Sequence, residues 1–357
     1  MKFPVRVILA VMCIVLIASI PFFLSSPYML PDAQEELVDN GQENEDEIVL
    51  DFGRLFLSSA MAEEDLEVED VAMDGKLTIP DDWALPYDFS IPPMPDPEKY
   101  TEEGYEDQSI RVRIETREMF DSEVNIAFVE IAHPSQLRTA TAAGVSSQLA
   151  KYLKTIAREN HAVVAINGDD FIKDAGLKSF EVRMGQLITY DHKRNKPSKE
   201  RDTLIIDKNA DFHIFQSDKA VAEYFSEHKD EIVNAYTFGP GLVVDGMIRD
   251  MTTAKGWNGT RKEPRSAIGQ TGPLSYVMVV VKGRGKSKGV NQEELAEIMK
   301  DLGCIQAYNL DGGNSAQMCV VGPDPEKMMY EFDGQNGKRG QTDILYFSTA
   351  VPEEERQ

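Results

Sequence analysis

Two short segments place polar groups where apolar strands run out, and the second has the composition of a sugar or phosphate site. In Ala165-Ile166-Asn167-Gly168-Asp169-Asp170-Phe171 an apolar run passes into an amide, a glycine and two adjacent carboxylates. In Asn309-Leu310-Asp311-Gly312-Gly313-Asn314-Ser315 an acid is followed by two glycines, an amide and a hydroxyl. Paired glycines let the backbone come close to a ligand or take positive φ. Successive N–H groups in such a turn can form an anion nest. Neighbouring residues on an extended strand face opposite ways, so one of Asp169 and Asp170 points away from any shared site unless Gly168 turns the chain. The rival readings are an Asx-type turn with solvated carboxylates for the first segment and a plain Asp-Gly turn for the second.

Two arginines stand at strand ends. Arg265 opens Arg265-Ser266-Ala267-Ile268-Gly269, and Arg284 follows a strand in Lys282-Gly283-Arg284-Gly285. A guanidinium suits bidentate binding of phosphate or carboxylate, although each arginine alone reads as a surface charge. Other chemistries lack their patterns. No G-x-x-x-x-G-K-[ST] loop and no strand-borne G-x-G-x-x-G occurs, nor a G-x-S-x-G elbow. His133, His161, His192, His213 and His228 show no metal spacing. Cys304 and Cys319 can pair, but read more simply as two buried small side chains.

The elements that must hold these groups begin near Ile110. Ile110-Val112-Ile114 and Val124-Ile126-Phe128 alternate like strands with one wet face. Ser146 to Glu159 has helical spacing at Leu149, Tyr152, Leu153 and Ile156. Ala162 to Ile166 reads as a buried strand, and Val182 to Leu187, Leu204 to Ile206 and Phe212 to Phe215 as short ones. Asp218 to His228 reads as a helix, and Leu242-Val243-Val244 before Asp245-Gly246 as a tight hairpin. Asn291 caps a helix with Leu295, Ile298, Met299 and Leu302 inside, ended by Gly303. The mixture predicts one compact α+β (mixed α/β) domain with a mostly mixed or antiparallel sheet and a few helices.

Upstream the composition changes. The formal net charge is −24, but residues 30–107 hold 25 acidic residues against Arg54, Lys76 and Lys99. Residues 108–357 hold 36 acidic and 32 basic residues, close to balance. A wide nucleic-acid face needs a basic surface and is not expected. Val7 to Leu24 is an uncharged 18-residue run behind Lys2 and Arg6. It is long enough for a slightly short membrane span with the N-terminus inside; a cleaved signal peptide is the alternative. Both place the rest of the chain outside the cytoplasm, membrane-attached or secreted. The expected organisation is an anchor or signal segment over 1–29 and a disordered, acidic, Pro-containing stalk over 30–108. The functional domain follows over 109–350, with a charged tail over 351–357.

The order of I-N-G-D-D-F at 166–171, F-G-P-G-L-V-V-D-G at 238–246, R-S-A-I-G at 265–269, V-K-G-R at 281–284 and N-L-D-G-G-N-S at 309–315 resembles the phosphodiester glycosidase family. Its bacterial relatives are often labelled exopolysaccharide biosynthesis proteins. The resemblance implies hydrolysis of the bond between a sugar anomeric carbon and a phosphodiester, GlcNAc-1-phosphodiester-like, in envelope or exopolysaccharide processing. It carries over to Asn167, Gly168, Arg265, Arg284, Asp311, Gly312, Gly313 and Ser315. The chain departs from the family at Asp169 and Asp170, where Gly or an aromatic is common, and at Asn314, Ala316 and Gln317. Asp311 is the first expected catalytic carboxylate, with Asp170 and Asp169 behind it. Asn167, Gly168, Arg265, Arg284, Asn309, Gly312, Gly313, Asn314 and Ser315 are expected to bind substrate. No cofactor or metal is expected, and the expected partners are a sugar phosphodiester or envelope glycan and the membrane. Two other readings stay open: a non-catalytic envelope protein that binds glycans, and a metal-dependent phosphodiesterase using Asp169, Asp170 and Asp311.

Overall fold

Left-handed residue pairs decide where this chain folds back. In the computed structural model, which describes residues 76–356 except 148, 170–178, 191–200, 253–258, 325 and 336–338, Phe120 and Asp121 take φ of 52° and 56°. They close a hairpin between Ile110–Met119 and Ser122–Ile131. Two left-handed residues give such a turn the twist its strands need. Asp245 and Gly246, at 51° and 74°, do the same between Gly241–Val244 and Met247–Ile248. Met184 and Gly185, at 46° and 76°, reverse the chain between Phe180–Arg183 and Gln186–Tyr190. The one strand expected from Val182 to Leu187 is therefore a hairpin.

Every strand pairing among the described residues is antiparallel. The strands form three sheets. A nine-stranded sheet has the spatial order 100–101, 104–106, 110–119, 122–131, 275–281, 265–272, 306–309, 241–244 and 247–248. One five-stranded sheet is ordered 212–215, 203–207, 232–237, 180–183 and 186–190. The other is ordered 328–333, 317–321, 164–167, 343–347 and 137–141. One core joins them: Val129, Tyr276 and Met278 from the first, Leu204, Ile206 and Tyr236 from the second, and Ile166, Met318 and Leu345 from the third.

Three helices complete the described α+β domain: α1 over Leu153–Glu159, α2 over Asp218–His228 and α3 over Gln292–Asp301. Strand residues alternate between faces, so Val277, Val279 and Val281 turn away from the shared core. They meet Leu295, Ile298 and Met299 of α3. Asn291 caps α3 by accepting the Glu294 N–H at 2.8 Å, and Glu294 accepts the Asn291 N–H at 3.0 Å. Gly303, at φ 83°, follows its end. Helix α1 starts later than the spacing predicts, because Lys151 is drawn into a β-bridge with Gln341 and Tyr152 is extended. Cys304 and Cys319 are buried in different core clusters and form no disulfide with each other. Burial pushes the Cys304 thiol up to about 12.

The segment just upstream of residue 109 is folded too. Arg138, 1% exposed, donates from Nη1 to Pro86 O at 2.9 Å and from Nη2 to Asp88 O at 2.7 Å and Ser90 O at 3.1 Å. Pro86, Pro92 and Pro93 keep this strap out of helical structure, which leaves its carbonyls open to the guanidinium. The Tyr87 hydroxyl donates to Lys208 O at 2.6 Å, and His161 Nδ1 lies 2.8 Å from Pro92 O. Tyr100–Thr101 and Gly104–Glu106 then enter the nine-stranded sheet. The prolines expected to stiffen a stalk over 30–108 thus belong, from residue 86 onward, to the domain. The anchor expected over 1–29 and the stalk up to residue 75 lie outside the described residues. Among the described residues no helix is long and apolar enough to cross a membrane. The expected tail 351–357 opens on a buried residue, Val351.

Arg138→Ala is expected to strand three strap carbonyls and to cost about 3 kcal/mol or more, given roughly 1.5–3 kcal/mol per hydrogen bond to a charged group. Urea unfolding measures this. A loss within about 0.5 kcal/mol, the range of an ordinary surface substitution, would show that Arg138 does not hold the strap.

Candidate functional site

Where the strands 164–167 and 306–309 end and the strand 265–272 begins, four hydrogen bonds converge on one amide. Asn167 is fully buried. Its Nδ2 donates to Gly168 O at 3.0 Å and to Asp311 O at 2.8 Å. Its Oδ1 accepts from Ser266 Oγ at 2.8 Å and from Gln317 N at 3.0 Å. The hydrogen-bonding capacity of the amide is thereby used inside the protein, and Asn167 is placed as a brace rather than at a surface open to a sugar. Asp311 N donates to Gly168 O at 3.3 Å, and Leu310 N to Ser266 O at 2.9 Å. Because 164–167 and 306–309 belong to different sheets, this brace spans a sheet junction. Asn309 is also buried, and its Nδ2 donates to Gly239 O at 2.8 Å.

The turn beyond Asp311 carries the expected glycines. Gly313 takes φ 61° and donates its N–H to Pro264 O at 2.8 Å, while Ser315 N donates to Gly312 O at 3.1 Å. With these two N–H groups taken, the run of successive donors that an anion nest needs is interrupted. What the turn presents instead is the Asp311 carboxylate, with side chain 19% exposed. Arg339 Nη1 lies 3.9 Å from Asp311 Oδ2 and donates to Ser315 Oγ at 3.3 Å. On the other flank Arg284 donates from Nε to Glu263 at 2.5 Å and from Nη1 to Asn314 Oδ1 at 2.7 Å and Gln335 Oε1 at 3.0 Å. A cleft of about 550 Å³ opens beside Arg284 and Gln335. Arg265 lies beneath the turn, not at its mouth. It is 6% exposed and donates to Val290 O at 3.2 Å and Arg261 O at 2.9 Å. Burial lowers its pKa; Glu263 opposes this and Arg284 adds to it.

Behind the turn sits a charged cluster with no exposed side chain. Arg183 reaches Asp169 Oδ1 at 2.8 Å, Glu181 Oε2 at 2.7 Å and Asp343 Oδ2 at 2.9 Å. It also donates to Val182 O at 3.1 Å and to Ala235 O, and lies over the Tyr236 ring at 3.9 Å. Burial alone would lower the Arg183 pKa, but attraction from Glu181, Asp169 and Asp343 outweighs it and holds the value well above the ordinary one. Asp343 packs on Gly168: a Cβ there would sit 2.6 Å from Asp343 Cγ, so only glycine fits. The Asp169 carboxylate therefore points inward, to Arg183, and does not share a face with Asp311. Asp170 lies outside the described residues. Among the described residues no three His, Cys, Asp or Glu side chains are grouped to hold a metal ion.

Sequence reasoning missed Glu181, Arg183, Arg339 and Asp343. A signal existed for two of them. Glu181 and Arg183 are alternate residues of a four-residue strand that is buried throughout, so they share one interior face. Arg339 carried no signal, since only the folded chain brings it to Ser315.

An antiparallel α+β domain built around such a junction belongs to a defined class of proteins. The phosphodiester glycosidase family matches over residues 160–348, more than half of the sequence, and the chain is a member of that family. The matched span begins just past α1 and contains both the Asp311 turn and the Arg183 cluster. The chain is 29% identical over 178 residues to the SPbeta prophage-derived uncharacterized protein YomE of Bacillus subtilis (strain 168), covering 47% of this chain and 26% of that protein. It thus spans about a quarter of that curated relative's length. The catalytic domain of zebrafish N-acetylglucosamine-1-phosphodiester alpha-N-acetylglucosaminidase shares the fold, with TM-score 0.50 at 18% identity over 67% of this chain and 83% of that one. A hypothetical protein from Synechocystis gives TM-score 0.45 at 16% identity, over 67% of this chain and 62% of its own.

Arg183→Met is expected to destabilise by roughly 3–5 kcal/mol at neutral pH, because it leaves buried carboxylates without their cation. Those carboxylates would then have folded-state pKa values raised above their unfolded ones, so the variant binds protons on folding and gains stability as pH falls. Thermal melts of both proteins at several pH values test this. A variant as stable as the parent, or one that gains nothing on mild acidification, would contradict it.

Proposed function

We propose that this chain hydrolyses the glycosidic bond of a sugar-1-phosphodiester, GlcNAc-1-phosphodiester-like, outside the cytoplasm in the processing of envelope or exopolysaccharide glycans. The observation that carries this reading is Asp311, a partly exposed carboxylate with Arg339 3.9 Å away and Arg284 on the opposite flank of the same turn. Its backbone is tied to Gly168 and Asn167. In the reaction water adds to the anomeric carbon and the bond from that carbon to the phosphate oxygen breaks. The products are a reducing sugar and a phosphomonoester. The phosphate departs as an anion and needs its charge met more than it needs a proton; Arg284 and Arg339 meet it. Positive charge grows at the anomeric carbon in the oxocarbenium-like transition state, and Asp311 stabilises it. Arg265 acts from below, holding the carbonyls of Arg261 and Val290.

Asp170, which follows directly on the Arg183-bound Asp169, is the proposed second carboxylate. The family's description, and the name of the zebrafish enzyme that shares the fold, support the same bond. The uncharged run behind Lys2 and Arg6 supports a single-pass anchor with the domain outside, a secreted form being the alternative.

On a sugar-1-phosphodiester, Asp311→Asn is expected to lower kcat about 10²–10³-fold, as loss of one electrostatic stabiliser does. Arg284→Ala is expected to raise KM about tenfold, a difference of about 1.4 kcal/mol in binding. Product analysis decides the bond: free sugar with phosphomonoester is expected, whereas sugar phosphate with free alcohol would make the protein a phosphodiesterase. Full activity in both variants would remove the assigned roles.

A further inference from the structure

Arg339 approaches Asp311 with a side chain that is 42% exposed. An arginine so placed would by itself sample many rotamers, but its main chain is fixed. The Arg339 carbonyl accepts from Gln317 Nε2 at 2.9 Å and from Gln341 Nε2 at 3.3 Å. A carbonyl oxygen has two lone pairs, and two donors from separate parts of the chain set its direction as well as its place. Both glutamines are buried. A buried amide is costly unless bonded, so an apolar side chain would fill either position more cheaply. What the amide adds is a directed N–H.

Each glutamine also holds the Asp311 turn. Gln317 donates its backbone N–H to Asn167 Oδ1, the brace beneath that turn, at 3.0 Å. Gln341 Nε2 donates to Ser315 O at 3.0 Å as well. The Gln341 backbone is bound to Lys151 in both directions, at 2.7 and 3.0 Å. Ser315 completes the circuit, because its hydroxyl accepts from Arg339 Nη1 at 3.3 Å. The segment 339–341 is thus tied to the turn through main chain and side chain at once. Gln317 stands at a position where the sequence departs from the family pattern.

We propose that Gln317 and Gln341 are positioning residues: they clamp the Arg339 carbonyl and so hold the Arg339 guanidinium against Asp311 and the departing phosphate. The effect on rate rests on the hydrolase reading; the clamp itself does not. Trypsin reads the clamp directly, because cleavage after Arg339 attacks the carbonyl that the amides hold. In the full chain, Gln317→Met/Gln341→Met is expected to be cut at the bond between Arg339 and Gly340 at least tenfold faster than the parent, with the site located by mass spectrometry and thermal melts showing both proteins folded. Unchanged cutting overturns the clamp. On a sugar-1-phosphodiester the same variant is expected to lose kcat about 10–10²-fold, the cost of a misplaced group, with KM unchanged. Arg339→Ala is expected to lose more, and adding both glutamine substitutions to it to lose nothing further, since no guanidinium is left to position. A loss that multiplies on the Arg339→Ala background, or one that falls on KM instead of kcat, overturns the proposal and makes the glutamines props of the turn. Should the double variant fail to fold, Gln317→Met alone, which leaves the Gln341 bonds in place, is read through the same cycle. If the parent leaves the ester intact, the hydrolase reading falls, and proteolysis still decides: faster cutting after Arg339 supports the clamp, and unchanged cutting removes it too.

Discussion

The buried guanidinium of Arg183 sets the constraint on which the candidate site depends. Taking it and its three carboxylate partners out of water costs several kcal/mol per ion. That cost is offset because the planar fork of N–H donors reaches Asp169, Glu181 and Asp343 and also finds the carbonyls of Val182 and Ala235. Apolar side chains of similar volume would be cheaper to bury, so what distinguishes the cluster is direction. Glu181 and Arg183 sit on one five-stranded sheet, and Asp343 on the other, with Asp169 just past the end of its neighbouring strand. Fixed donor directions register the two sheets more narrowly than apolar contact does. Asp343 then fills the space a side chain at Gly168 would need, and the Gly168 carbonyl receives the Asp311 N–H. The position of a surface acid is in this way set from the interior.

Much of the frame was legible in the sequence. The Asn291–Gly303 helix and the Asp245-Gly246 hairpin stand where capping and turn chemistry put them, because those signals are local. The strand ends that converge on the site were legible too, since an apolar run that stops at a polar residue marks an end. The orientation of the polar residues was not. Asn167 and Asn309 have side chains that could serve a ligand or the backbone equally well, and partners far along the chain settle it. The Asp343 carboxylate bonded to Arg183 is 160 residues away, and no window of sequence contains both. The strap was hidden for a different reason. Proline-rich, acidic composition reports only that a segment makes little core of its own, and this one is held by partners from elsewhere in the domain, Arg138, His161 and Lys208 among them.

The strap also defines a path for force. Pro86, Asp88 and Ser90 offer alternate carbonyls to one guanidinium, so a pull along the chain from its N-terminal side is borne by one side chain through three bonds. Arg138 hands the load to the strand Leu137–Thr141, the edge of its sheet, and through its Nε to Tyr346 on the adjoining strand. That strand, Asp343–Phe347, pairs with it residue by residue and ends at the Thr141–Asp343 pair. Besides the Tyr87 contact with Lys208, tension applied upstream of residue 86 therefore reaches the strand pair that carries Asp343 to Arg183. In an anchored protein, mechanical loading and the geometry at Asp311 would share one structural route.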